Sequence, residues 1–210
     1  MIRLLILLLS LVFATSTMAQ PTGAVPAVEV APLAEGQVLR GRFEQLRFLQ
    51  GFRAPLKSSG TFFLAPGRGL IWKTEAPFAL TTVMSPAGLV QEVGGRETMR
   101  MPSSRIPFMS KLYAMLGGAL TGDWEGLSST FNITHKADGK GWRVKLEPIH
   151  ADDPAMPIRA IDLHGSRFLE DVDVIKLDGD RDHLVFLDQK LETASPTPEE
   201  SELLARAGKP

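Results

Sequence analysis

From Leu39 onward, apolar and polar residues alternate in short runs: Leu39 to Arg47, Gly60 to Ala65, Leu70 to Thr74, Leu80 to Met84, Leu89 to Val93 and Glu97 to Met101. Gly, Pro, Asn or Asp turn signals separate them about every ten residues, which is the signature of an antiparallel sheet. A second series follows: Leu127 to Thr134, Trp142 to Leu146, Ile158 to His164, Phe168 to Leu177 and His183 to Leu187. Eleven strands are too many for a flat open sheet, so the predicted sheet curls or splits into two layers. Between the two series the period changes. Arg105 to Leu120 reads R-I-P-F-M-S-K-L-Y-A-M-L-G-G-A-L, with Pro107 in the first turn, where its missing donor is harmless. Phe108, Leu112, Met115 and Leu116 fall at i, i+4, i+7 and i+8, a single oily stripe on a predicted helix.

The two ends follow other rules. Arg3, the run from Leu4 to Ala14 and the small residues Thr17-Met18-Ala19 form a secretory signal peptide over residues 1–19, cut between Ala19 and Gln20. The apolar run is too short to span a bilayer, which takes about 20 residues. Residues 20–36 form a linker, because Pro21, Pro26 and Pro32 each remove a backbone donor and disfavour helix just before them. The main domain is placed at residues 37–191. In the segment 192–210, Thr197, Pro198 and Glu200 fit a capping box, so it reads as a short helix or, equally, as a frayed tail.

Composition narrows the chemistry. The chain has 210 residues, 44% of them hydrophobic, with 23 Lys and Arg against 24 Asp and Glu. One domain with trimmings is expected. A net charge of −1 gives no field that would gather nucleic acid or anionic headgroups over the whole surface. With no cysteine there is no disulfide, thiolate nucleophile, Cys-ligated zinc or lipid attachment at the cut. There is no G-x-S-x-G, phosphate-cradling loop or H-E-x-x-H. His135, His150, His164 and His183 have no i, i+4 pairing, so no metal site is expected. Asp178-Gly179-Asp180-Arg181-Asp182 opens like a calcium loop, but His183 stands sixth and Gln189 twelfth, and a polar hairpin turn explains it better. His150 beside Asp152 and Asp153 lies in a proline-bounded loop and is not read as a catalytic pair. No cofactor and no enzymatic activity are expected.

What remains unusual is apolar. A strongly curled antiparallel sheet has a concave face, and a helix that covers it incompletely leaves room for an acyl chain. The candidate chamber wall is Phe43, Phe62, Leu70, Trp72, Leu80, Met99, Met101 and Phe131, and the candidate lid stripe is Phe108, Leu112, Met115 and Leu116. Methionine suits such a wall because its unbranched, polarizable side chain repacks around different ligands. The alternative is that these residues are plain core.

Gly41-Arg42-Phe43-Glu44-Gln45, then Ser58-Ser59-Gly60-Thr61-Phe62, then Gly69 to Phe78 with Trp72 and Pro77 spaced as W-x-x-x-x-P, resemble the LolA-type periplasmic lipoprotein carrier superfamily. In the order signal peptide, G-x-F-x-Q, G-x-F, W-x-x-x-x-P, central helix and further strands, the resemblance covers roughly Gly36 to Leu191. It implies an incomplete antiparallel β-barrel of about eleven strands, covered by one or more helices and enclosing an apolar chamber for acyl chains.

Two departures bear on cargo. Lipoprotein carriers resemble one another in an arginine before the proline that precedes the Trp strand, where it latches the lid; here Ala65 precedes Pro66, and Arg68 is not aligned. Their N-terminal helix is reduced here to the proline-broken segment before Gly36. The chain is more similar to the LolA-like branch that accompanies acyltransferase, acyl carrier protein and exporter genes, which implies an aryl polyene or glycolipid cargo. The expected role is a monomeric, unanchored periplasmic carrier working between an inner-membrane exporter and an outer-membrane acceptor. An orthodox lipoprotein chaperone, a secreted hydrolase and a structural module are the alternatives.

Overall fold

The alternating runs pair into one sheet. In the computed structural model, which describes residues 33, 36–105, 125–138, 141–152 and 156–207, the strands are β1 (Gln37–Phe48), β2 (Leu56–Ala65), β3 (Gly69–Ala76), β4 (Leu80–Ser85), β5 (Gly88–Val93), β6 (Arg96–Pro102), β7 (Phe131–Asp138), β8 (Gly141–Pro148), β9 (Ile158–Gly165), β10 (Leu169–Lys176) and β11 (Arg181–Thr193). Their spatial order is β6-β5-β4-β3-β2-β1-β11-β10-β9-β8-β7. Every neighbouring pair is antiparallel, and all but β1 with β11 are consecutive in sequence. Two meanders are thus joined along one seam. The edges β6 and β7 do not pair with each other, so the expected incomplete antiparallel barrel is what forms.

Period-two alternation sorts the side chains. In β8, buried Trp142, Val144 and Leu146 alternate with Arg143, Lys145 and Glu147. Register carries one face across the sheet: Leu39, Leu64, Leu70, Met84, Leu89 and Met101 lie in one row. This inward face gathers Leu64, Leu70 and Leu89 from one meander with Leu146, Ile161, Leu163 and Val172 from the other into one hydrophobic cluster.

Several boundaries differ from expectation. The seventh strand begins at Phe131 rather than Leu127, because Glu125–Leu127 closes a 3₁₀ turn. The second begins at Leu56 rather than Gly60: Lys57, Ser58 and Ser59 carry no apolar signal, yet they pair with Leu46, Gln45 and Glu44. The last runs to Thr193, past a bulge opposite Arg40 and Arg42 where Asp188 takes φ of 52°. The predicted helix from Arg105 to Leu120 lies outside the described residues except for Arg105, which ends the 3₁₀ turn Ser103–Arg105. The signal peptide lies outside them as well, and so does the linker apart from Leu33 and Gly36.

Of the two readings for the C-terminus, the helix holds, over Pro198–Ala207. Its capping box is complete: the Glu200 amide donates to Thr197 Oγ1 at 3.2 Å, and the Thr197 amide donates to Glu200 Oε2 at 2.7 Å. This helix does not cover the inward face. Leu203, Leu204 and Ala207 pack with Val38, Phe63, Ala65, Ile71, Val83 and Val90, the opposite face of β1 to β5. Polar contacts fasten both ends. Arg40 forks onto Glu200 at 3.0 and 2.8 Å and also contacts Glu192, while Arg206 pairs with buried Glu92 at 2.8 Å. At the helix C-terminus, Ser85 Oγ donates to the Ala207 carbonyl at 3.1 Å and Arg100 to that of Arg206 at 3.1 Å.

The candidate lipid chamber

The centre of the inward face is aromatic. Phe43 stacks on Trp72 with ring centroids 3.9 Å apart, and Phe186 meets Phe62 and Trp72 edge-on at 5.3 and 6.0 Å. Backbone economy makes the cluster possible. Phe62 lies opposite Gly41, where a Cβ would come within 2.6 Å of the Phe62 ring. Phe43 lies opposite Gly60, whose missing side chain lets Phe43 reach across β2 to Trp72. Gly60 has no room for a Cβ in any case, since one would sit 1.9 Å from the Lys73 carbonyl oxygen at a bulge in the β2–β3 ladder.

The G-x-F-x-Q run therefore has a physical reading. Gly41 receives the Phe62 ring, Phe43 stacks on Trp72, and Gln45 accepts from Ser58 Oγ at 3.2 Å while donating to Asp182 at 3.3 Å. Glycine clears space, phenylalanine supplies apolar area, and glutamine joins three strands.

Of the wall residues read from sequence, Phe43, Phe62, Leu70 and Phe131 are buried in the inner cluster. Trp72, Met99 and Met101 pack against it while remaining half-buried. Leu80 is half-buried and shares the face by its pairing with Thr74, but it does not join the cluster. Phe108, Leu112, Met115 and Leu116 lie outside the described residues. Sequence reasoning missed Phe186, although its alternation with Leu184 in a run already read as a strand was the available signal. Ala65 is also not where the resemblance implied. It is 2% exposed and belongs to the outer cluster under the C-terminal helix, so an arginine there would not reach the inward face.

At one end the inward face turns polar. Asp182 is 7% exposed, with Arg47 Nε at 2.7 Å and Lys176 Nζ at 2.9 Å. Burial opposes its charge, but the hydrogen bonds from Arg47 and Lys176 prevail and hold its carboxyl below the usual carboxylate range. The run Asp178 to Asp182 is indeed the β10–β11 hairpin: the Lys176 amide donates to the Asp180 carbonyl and the Gly179 amide to that of Lys176. Its last residue, however, is a buried ion-pair partner rather than part of a solvated turn.

The turns at this end carry exposed apolar residues. Phe52 and Leu56 flank the β1–β2 loop, Phe78 tops β3–β4, Val93 ends β5, Ile149 follows β8 and Leu177 follows β10, with exposures from 42% to 82%. Register places them on one rim, since Arg47 pairs with Leu56, Ser59 with Ala76, Thr81 with Glu92, Phe48 with Arg181 and Lys176 with Ile158. Among the described residues, only Leu187 is an exposed large hydrophobic away from that rim. No group of three or more His, Cys, Asp or Glu residues among those described is arranged to hold a metal ion. No described helix is long and apolar enough to cross a membrane.

Among solved structures, the chain is similar to a LolA superfamily protein from Nitrosomonas europaea at 10% identity, covering 82% of this chain and 92% of that one with a TM-score of 0.43. It is also similar to a putative outer membrane lipoprotein-sorting protein domain from Vibrio parahaemolyticus at 11% identity, with coverage of 82% and 93% and a TM-score of 0.33. The Pseudomonas aeruginosa MucA/MucB complex aligns at 11% identity, with coverage of 80% and 56% and a TM-score of 0.46. No curated protein matches the chain. Residues 20–187 match the family model described as outer membrane lipoprotein carrier protein LolA-like, and the chain belongs to that family.

Proposed function

We propose that this protein is a non-enzymatic periplasmic carrier that holds the acyl chains of a lipid or lipid-like product against the inward face of its open barrel and ferries it toward the outer membrane. The observation that carries the reading is that Trp72, Met99 and Met101 stay half-buried beside a fully apolar cluster, leaving oily surface next to an aromatic floor. Membership of the lipoprotein-carrier-like family supports a lipid-binding role. The rim of Phe52, Leu56, Phe78 and Leu177 is the surface we assign to handover, because exposed apolar groups collected at one site mark an interaction surface. An inner-membrane exporter would load the protein and an outer-membrane acceptor would unload it.

Native mass spectrometry of protein purified without detergent tests the reading. Co-purifying acyl chains are expected, and a lipid-free protein that takes up no fatty acid would overturn it. The cargo separates two versions. A lipid without a polypeptide would favour the aryl polyene or glycolipid version, whereas a bound triacylated lipoprotein would make the chain an orthodox lipoprotein carrier.

A further inference from the structure

The polar end of the inward face is built from four strands in continuous register. Alternation carries Phe43, Gln45 and Arg47 along β1, Phe186, Leu184 and Asp182 along β11, Phe62, Gly60 and Ser58 along β2, and Val172 and Val174 along β10, which ends at Lys176. Arg47 and Lys176 both contact Asp182, so two cations share one carboxylate and the patch is left with one net positive charge. Arg47 gives Asp182 only its Nε. Its two terminal nitrogens make no hydrogen bond to the described protein, on a side chain 47% exposed.

We infer that this patch is a headgroup subsite for an acyl cargo bearing a carboxylate or phosphate anion. The inference rests on the carrier reading and names its substrate class. A guanidinium held by one edge presents the rest of its fork, which matches two oxygens of a carboxylate or phosphate. Asp182 holds that fork in place and cancels one of the two cationic charges, so the site suits a monoanion. Arg47 is four residues from Phe43, about 13 Å along a strand, so a chain starting at the patch runs over the aromatic cluster. A neutral ester in the same place leaves the guanidinium donors without an anionic partner. Asp182 and Gln45 are positioning residues here, and Arg47 and Lys176 are the groups that touch the anion.

Titration calorimetry with palmitic acid against methyl palmitate, and with lysophosphatidic acid against monoacylglycerol, tests the assignment. The wild type is expected to favour each anionic form about tenfold over its neutral counterpart, the scale of a hydrogen bond to a charged group. Arg47→Gln should abolish that preference while leaving the affinity for methyl palmitate unchanged, and Lys176→Gln supplies the same test if the first variant does not fold. Asp182→Asn leaves both cations unopposed and should raise the preference, which loss of a merely structural ion pair would not do. Equal affinity for acid and ester in the wild type, or a preference that survives both cation removals, would overturn the subsite. Inorganic phosphate binding as tightly as lysophosphatidic acid would overturn its assignment to a lipid headgroup. Failure to bind any acyl compound, charged or neutral, would instead defeat the carrier reading.

Discussion

Phe43 and Trp72 stack at 3.9 Å although they stand on strands that do not touch: Gly60 on β2, directly opposite Phe43, has no side chain to keep them apart, and Trp72 lies diagonally beyond it, opposite Phe62. Trp72→Ala removes the stacked contact with Phe43, the looser stacked contact with Phe62 and the edge contact with Phe186. The expected loss is about 2 to 3 kcal/mol, below the 3 to 5 typical of a fully buried aromatic, because Trp72 is only half-buried. Denaturant unfolding measures it, and a loss under about 0.5 kcal/mol, the level of a neutral surface change, would mean that the indole is not supported by the cluster.

Gly60→Ala should be costly for a different reason. The added methyl meets the Lys73 carbonyl oxygen rather than a movable side chain, so the ladder itself must shift. Overpacking of this kind costs about 1 to 3 kcal/mol, and the variant should also lose affinity for a fluorescent fatty-acid probe as Phe43 and Trp72 separate. Unchanged stability would show that the bulge at Ser59 and Gly60 relaxes freely.

The curl, the number of strands and most of their centres were legible because short apolar runs recur between turn signals and strands such as β8 and β9 alternate with few interruptions. What escaped the sequence was non-local. Lys57 to Ser59 fall before the run read from Gly60, but they are held as strand by pairing with Leu46 to Glu44. Asp182 read as a turn residue because nothing in its neighbourhood announces Arg47, which lies far away in sequence and beside it in space. Ala65 illustrates the limit of a motif. The family pattern locates the residue before Pro66 in the chain, yet it does not say which face of β2 that residue occupies, and here the side chain is claimed by Leu203, Leu204 and Ala207.

Ala65→Arg turns that correction into a test. A latch on the inward face would close an empty chamber and weaken lipid binding without harming the fold. An arginine between β2 and the C-terminal helix instead forces a charge into an apolar seam with no partner, at a cost of about 3 kcal/mol or more. The expected result is a lower denaturation midpoint, with near-normal probe affinity in the fraction that stays folded. Full stability with weakened binding would restore the latch.

Phe78 is 82% exposed at the tip of the β3–β4 turn, so Phe78→Ser should change stability by less than about 0.5 kcal/mol. If the rim conducts handover, transfer of a bound fluorescent fatty acid from this variant to outer-membrane vesicles should slow several-fold while its equilibrium affinity stays the same. A matched Leu187→Ser control, away from the rim, should transfer at the wild-type rate. Equal rates for all three proteins would remove the rim from the mechanism.

The C-terminal helix gives a prediction in acid. Burial disfavours the charge of Glu200, but the Arg40 hydrogen bond and the Thr197 amide outweigh it, so its carboxyl is held below the ordinary glutamate value. A carboxylate whose folded pKa is depressed stabilises the fold fully above its unfolded pKa, near 4.3, and loses that contribution as pH falls through the folded value. Glu200→Gln removes the charge that Arg40 grips while keeping a side chain able to accept from it, and should cost about 1 to 2 kcal/mol at neutral pH as a lost charge-assisted cap. The difference between wild type and variant should be constant from pH 7 down to about 5 and then shrink toward zero in stronger acid. Urea midpoints taken across that range measure it. A gap that persists unchanged below the glutamate range would mean that the Glu200 contribution is packing and not charge.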